Sequence, residues 1–238
     1  MLRPSITLGI PGDPYTLFYD YDQIEGKKLG SLTSDQKVIW FRERLNMTHM
    51  EPLRRIWKDS EVFEKLLHSK LDPNARCSFS IAAMALMLGV VEALGTFRNP
   101  VISRSNSKSK NKKAFLEFLT NHMGQWNVVA PNTTASVADI LWKSFRNGIT
   151  HDLRVDQVSG ADQLWGSLEF QENFSDPANT RFEKYGNLLR ICPLAFFKDL
   201  DGAVKEYFGQ LSSNTNLLKS FQSRFDEVYP SQSAHLSG

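Results

Sequence analysis

Residues 79–97 read FSIAAMALMLGVVEALGTF, and this stretch decides the fold class. Apolar or small side chains fill almost every position, which leaves no polar face for water. That is the pattern of a helix enclosed by other helices, not of one lying on a surface. Its one charge is Glu92. A lone carboxylate in such surroundings needs a partner. The sequence leaves two options open: an arginine of the bundle, Arg146 among them, or water at the helix end. The apolar run 81–94, with Glu92 inside it, is shorter than the ~18 to 20 residues that cross a bilayer. The expectation is a buried helix in a cytoplasmic protein, with no membrane association.

Outward from this helix, periodicity predicts more helices. Towards the N-terminus, Pro73 in the run Asp72-Pro73-Asn74 marks a break. Before it, Pro52 suits a first helical turn, with Leu53, Ile56, Trp57, Phe63, Leu66 and Leu67 as the apolar stripe. Thr33 or Ser34 caps an earlier helix carrying Val38, Ile39, Phe41 and Leu45. Residues 1–30, rich in Gly, Pro, Tyr and Asp, read as extended or irregular. Towards the C-terminus, KKAFLEFLTNHM places Phe115, Phe118 and Leu119 at helical spacing, with Gly124 as a stop and His122 read as a surface residue. Ser136 or Thr134 caps a further helix, on which Val137, Ile140, Leu141 and Phe145 form the stripe and Trp142 and Phe145 read as core. SLEFQ and NLLRI then predict two short strands forming a small hairpin. Pro193 opens an amphipathic helix, residues 216–228 predict a last one, and the tail frays. The chain divides into an N-terminal extension (1–72), a central helical domain (73–212) and a C-terminal helix with tail (213–238).

Composition narrows the function classes. The chain has 238 residues, 41% hydrophobic and 23% charged, which places it among globular domains and not among disordered or membrane-embedded chains. No G-x-G-x-x-G, phosphate-loop lysine or H-E-x-x-H occurs, so nucleotide-fold and zinc-protease readings have no footing. The two cysteines, Cys77 and Cys192, lie far apart with no neighbouring ligands and read as small buried hydrophobes. No metal site and no cofactor are expected. The net charge of +2 argues for no partner, but its distribution is uneven. Residues 98–113, RNPVISRSNSKSKNKK, hold no acid. They read either as a solvated loop or as a lining for a polyanion, with Arg104, Lys108, Lys110, Lys112 and Lys113 as the contacts.

One further stretch carries chemistry: residues 144–153, SFRNGITHDL. Histidine titrates near neutrality and can both take and return a proton, while arginine stays charged and forks onto phosphate oxygens. With RNA the 2'-hydroxyl is an internal nucleophile, so a base and a cation suffice. Two observations oppose joint action of Arg146 and His151. On an ideal helix the five-residue step turns them about 140° apart, and basic residues at a helix C-terminus also serve its last carbonyls. Spacing alone does not decide between these readings.

The pattern around the pair does more. Arg146, Asn147, Gly148, Ile149, Thr150 and His151 resemble the motif of the HEPN superfamily: arginine, a polar residue, three variable residues, histidine. Arg98-Asn99 fails the same pattern, because Ser103 stands where the histidine belongs. The likeness extends over roughly residues 79–211. It implies a mainly α, up-and-down bundle of about four or five helices, with a small β-hairpin inserted after the motif, that pairs as a homodimer so that two motifs face one cleft. It also implies a metal-independent endoribonuclease, of a kind found among toxins and defence effectors. In that scheme His151 acts as base or acid, Arg146 stabilises the transition state and Asn147 orients the phosphate or the histidine. Arg154 joins the basic run in binding RNA. A cognate antitoxin or regulatory protein is an expected partner. The superfamily also includes non-catalytic dimers that bind RNA, a nucleotide or a protein.

Overall fold

Residues 6–8, 17–19, 23–24, 27–28, 32–58, 73–99, 108–131, 133–147, 165–168, 174–176 and 179–229 are described by the computed structural model, and most of them are helical. At the N-terminus, β1 (Ile6–Leu8) pairs antiparallel with β2 (Leu17–Tyr19), and β3 (Gln23–Ile24) with β4 (Lys27–Lys28). Helix α1 (Ser34–Leu45) starts at a reciprocal cap: the Thr33 hydroxyl accepts from the Gln36 N–H, and the Gln36 side chain accepts from the Thr33 N–H. The two helices expected near the N-terminus prove continuous. A π-helical segment, Asn46–Met50, joins α1 to α2 (Glu51–Lys58). Within it the Thr48 hydroxyl donates to the Arg44 carbonyl at 2.7 Å, a back-bond that competes with the regular ladder.

Helix α3 (Pro73–Arg98) contains the opening stretch. Met84, Met87, Leu88, Val91 and Leu94 are buried, whereas Leu86 is 40% exposed. The helix continues past the apolar run 81–94, so Ile81–Arg98 is long and apolar enough by length and composition to cross a membrane, and half of it is buried within the protein. Helix α4 (Lys108–His122) begins earlier than the expected start at Lys112, so residues 108–111 of the basic stretch belong to it instead of to a loop. It lies very close to α3: a Cβ at Gly95 would stand 2.6 Å from the Ala114 carbonyl carbon. Only glycine permits that backbone approach.

The next helix, α5 (Val137–Ile140), is capped by Ser136, whose hydroxyl accepts from the Asp139 N–H at 3.1 Å. It widens directly into a π-helical segment, Leu141–Arg146. A three-stranded sheet follows, with strands β5 (Trp165–Leu168), β6 (Phe182–Tyr185) and β7 (Leu188–Ile191) in the order β5-β7-β6. The expected hairpin exists, with a different partner. NLLRI pairs antiparallel with Phe182–Tyr185 across a turn in which Gly186 takes φ 58°, while β5 lies parallel on the other side of β7. After Cys192, Pro193 starts α6 (Pro193–Leu211), and Asn214 caps α7 (Thr215–Val228) by accepting from the Leu217 N–H.

One hydrophobic core unites these helices, and it draws on all three stretches of the predicted division. Phe41 of α1 meets Phe97 of α3 at 4.2 Å between ring centroids and Phe221 of α7 at 5.6 Å. Helices α1 and α7 run parallel, because the pairings ascend together. Gln222 donates to Ser34, buried Lys37 pairs with Asp226 at 2.5 Å, and Trp40 packs edge-on against Phe225 and Tyr229.

Candidate functional site

Arg146 stands at the end of the widened turn. Within its segment Leu141, Trp142, Ser144 and Phe145 are buried while Lys143 is exposed, and Arg146 reaches the flank of α3. There the guanidinium meets Glu92 in a two-pronged pair, Nε to Oε2 at 2.9 Å and Nη2 to Oε1 at 3.3 Å. This resolves the partner of the lone carboxylate on the apolar helix. Side-chain exposure is 22% for Arg146 and 17% for Glu92, so the pair is largely shielded from solvent. Nη1 donates to the Asn147 side-chain oxygen at 3.2 Å, and the guanidinium lies 4.9 Å from the Trp142 ring centroid. Trp142 is buried, as expected, and also forms the plate on which Arg146 rests.

The Asn147 N–H bonds the carbonyl of Trp142, five residues back, so the turn that delivers Arg146 is wider than a 3.6-residue helix, while the step from Arg146 to His151 lies outside the described residues. Such single wide turns are frequent at functional sites because the extra residue re-aims a side chain. The structure thus brings Arg146, Asn147, Glu92 and Trp142 together. His151, Gly148, Arg154 and Arg104 lie outside the described residues, as do the side chains of Lys108 and Cys77. Cys192 is buried, as expected of a small hydrophobe.

Of the basic stretch, Lys110 is half-buried in the first turns of α4. Lys112 pairs with Asp139 at 2.5 Å and ties α4 to the start of α5. Burial pushes the Asp139 carboxyl up, but hydrogen bonds from Lys112 and Ser136 and the charges of Lys112 and Lys143 outweigh it and hold the group below its ordinary range. Lys113 reaches Glu117 at 3.8 Å in an exposed i,i+4 pair.

Sequence reasoning missed a second polar cluster. His122 is not a surface residue: its side chain is fully buried against Phe118 and Tyr207. Arg98 donates to its Nε2 at 2.8 Å, which puts the proton of the neutral ring on Nδ1, facing Glu206 at 3.6 Å. Burial lowers the His122 pKa, the Arg98 charge lowers it further, and Glu206 opposes both. The buried Tyr207 hydroxyl has no hydrogen-bond partner among the described residues, and burial raises its pKa far above the ordinary value. The signal was present in the sequence, because His122 continues the stripe Phe115, Phe118 at helical spacing. Elsewhere Asp199 of α6 accepts from Trp126 at 2.8 Å and from Arg181 at 2.7 Å, which fastens the sheet region to the helices.

Among the described residues, no three of His, Cys, Asp and Glu converge as a metal site would require. No protein-family model matches the chain, and no curated protein or solved structure matches it either.

Proposed function

We propose that the chain is a cytoplasmic HEPN-type bundle acting as a metal-independent endoribonuclease, with a composite site formed where two copies meet. The observation that supports this most is the fixed pose of Arg146. Glu92 grips its Nε edge, Trp142 backs its face, and Asn147 accepts from Nη1. One hydrogen on Nη1 and one on Nη2 stay uncommitted among the described residues, enough to fork onto two phosphate oxygens. A guanidinium whose rotamer is already set needs no reordering when charge develops on the phosphate.

In this reading His151 removes the proton of the RNA 2'-hydroxyl and the resulting oxygen attacks the adjacent phosphorus. Arg146 stabilises the pentacovalent state, and the 5'-oxygen leaves with a proton returned by histidine. The products are a 2',3'-cyclic phosphate and a 5'-hydroxyl. Lys110 and Lys113, with Arg104, Lys108 and Arg154, hold the RNA backbone, and a cognate antitoxin or regulatory protein restrains the activity. The test is cleavage of RNA by purified protein in EDTA. Both Arg146→Ala and His151→Ala are expected to abolish it, and cleavage surviving in the His151→Ala protein overturns the proposal.

A second reading has its own support. Glu92 neutralises much of the Arg146 charge, which suits a non-catalytic dimer that holds RNA, a nucleotide or a protein partner. Tight, salt-sensitive RNA binding without turnover selects this reading over the first.

A further inference from the structure

Three helices meet where α3 and α4 end, and the polar groups they bring there offer more donors than acceptors. Arg98 is the last residue of α3, His122 is the last of α4, and Glu206 and Tyr207 lie on α6. The His122 side chain is fully buried, with its ring centroid 4.9 Å from that of Phe118 and 5.8 Å from that of Tyr207. Its Nε2 accepts from Arg98 Nη1 at 2.8 Å, and among the described residues it is the only side-chain acceptor of that guanidinium. At the other ring nitrogen, Nδ1 makes no hydrogen bond, and Glu206 Oε1 stands 3.6 Å away.

A proton on the ring reverses these preferences. An imidazolium carries two N–H donors and no acceptor, so a protonated Nε2 would set donor against donor and cation against cation at 2.8 Å from Arg98. Nδ1, already an N–H, gains charge opposite a carboxylate. Glu206 is half-exposed and otherwise accepts from Gln210 one turn away at 2.8 Å, so a small rotation of its side chain closes the gap to Nδ1. The last carbonyls of α4 also favour a charged ring at His122. The Tyr207 hydroxyl, kept neutral by burial, does not enter the charge balance. Burial and the Arg98 charge oppose the proton, which places the exchange of partners below the ordinary imidazole value of about 6.5.

We infer that His122 is a proton-operated latch: the neutral ring holds Arg98 and fastens the end of α3 to the end of α4, and the protonated ring releases Arg98 and bonds Glu206 of α6 instead. Arg98 is the first residue of the acid-free stretch 98–113, so acid loosens the entry to that stretch and adds a free cation to it. The inference is independent of the ribonuclease reading.

The test is a titration of the full, nitrogen-15-labelled chain from about pH 7.5 to about pH 4.5, across the imidazole range. Nuclear magnetic resonance reads the His122 ring nitrogens, and hydrogen exchange reads the Phe97, Arg98 and Asn99 amides after correction for intrinsic exchange. Expected at the upper end is a ring protonated on Nδ1 alone. As Nε2 gains its proton, these amides should lose about tenfold in protection, the effect of one lost hydrogen bond from a charged donor. His122→Gln offers Arg98 an amide oxygen at every pH, so its α3 amides should keep their protection throughout. Arg98→Gln should move the His122 midpoint to higher pH, and Glu206→Gln, a half-exposed change, should move it to lower pH. A ring protonated on Nε2 at the upper end overturns the inference. Protection that stays constant through the ring's titration, or that falls equally in His122→Gln, overturns it too, as does unfolding of the whole chain before the ring titrates. Should His122→Gln fail to fold, Glu206→Gln decides, and an unmoved midpoint there refutes the exchange of partners.

Discussion

Glu92→Gln is the most informative single substitution. The parent carboxylate makes two hydrogen bonds to Arg146, at 2.9 and 3.3 Å, with exposures of 17% and 22% on the two sides. Removing one partner of a fully buried pair costs about 3–5 kcal/mol, whereas an exposed pair contributes about 0–1 kcal/mol. The Glu92–Arg146 pair lies nearer the buried limit. Glu92→Ala, which leaves the guanidinium uncompensated, is therefore expected to cost about 2–3 kcal/mol. Glu92→Gln keeps one acceptor and costs about 1–2 kcal/mol, which for a chain of this length lowers the melting temperature by about 2–8 °C. Urea unfolding of Glu92→Gln, Arg146→Met and the double variant closes a cycle whose coupling energy should be about 1–2 kcal/mol. A coupling below about 0.3 kcal/mol refutes the reasoning, because the two side chains would then not be held together in solution.

Gly95→Ala should lose about 2 kcal/mol, since the new methyl overlaps the α4 backbone, whereas Gly89→Ala, with nothing within 4 Å, should gain about 0.5–1 kcal/mol; urea midpoints read both. His122 is kept neutral in the folded protein by burial and Arg98, so the unfolded chain takes up its proton first as pH falls. Stability is therefore complete above about pH 6.5 and declines below it, by up to about 1.4 kcal/mol per pH unit, until the folded state also protonates. His49, lowered by burial and Arg44, adds in the same sense, while Asp139, Asp199 and Asp201, held below their ordinary range, act only at lower pH. Melting curves between pH 7.5 and 5 should flatten measurably in His122→Gln, and an unchanged slope counts against the buried neutral ring. For RNA binding, Lys110→Gln should reduce the salt slope of log K by about 1, and Lys112→Gln, whose charge is committed to Asp139, should leave it nearly unchanged.

Side-chain periodicity made much of this fold readable. The caps at Thr33 and Ser136, the proline start at Pro193 and the turn-flanked strand NLLRI are all local signals, and the structure contains each; the apolar helix is present too, but it is not enclosed all round, since Ala82, Leu86 and Gly89 form an exposed stripe along it. What escaped is decided elsewhere in the chain. Strand β7 pairs with Phe182–Tyr185 and with β5 because of tertiary register, which a single strand does not encode. The π-helical segments carry an ordinary helical pattern, since they differ by which carbonyl a given N–H reaches and not by residue type. Buried Lys37 and His122 read as polar, yet their partners Asp226 and Arg98 come from other helices. For the candidate site, the sequence named Arg146 and Asn147 and left Glu92 with two options. Geometry selected the ion pair.

The parallel contact of α1 with α7 has a consequence for how the chain reaches its native state. Lys37 and Asp226 are 189 positions apart, and Trp40 completes its surroundings only with Phe225 and Tyr229. During synthesis from the N-terminus α1 emerges long before α7, and although Phe97 of α3 covers Phe41, Trp40 lacks its ring partners until residues 217–229 have left the ribosome. Such a long-range closure is slow relative to local helix formation and leaves Trp40 exposed in the interval. Deleting α7 should then act at a distance, releasing the N-terminal helix and leaving a chain that chaperones hold rather than one that merely ends early.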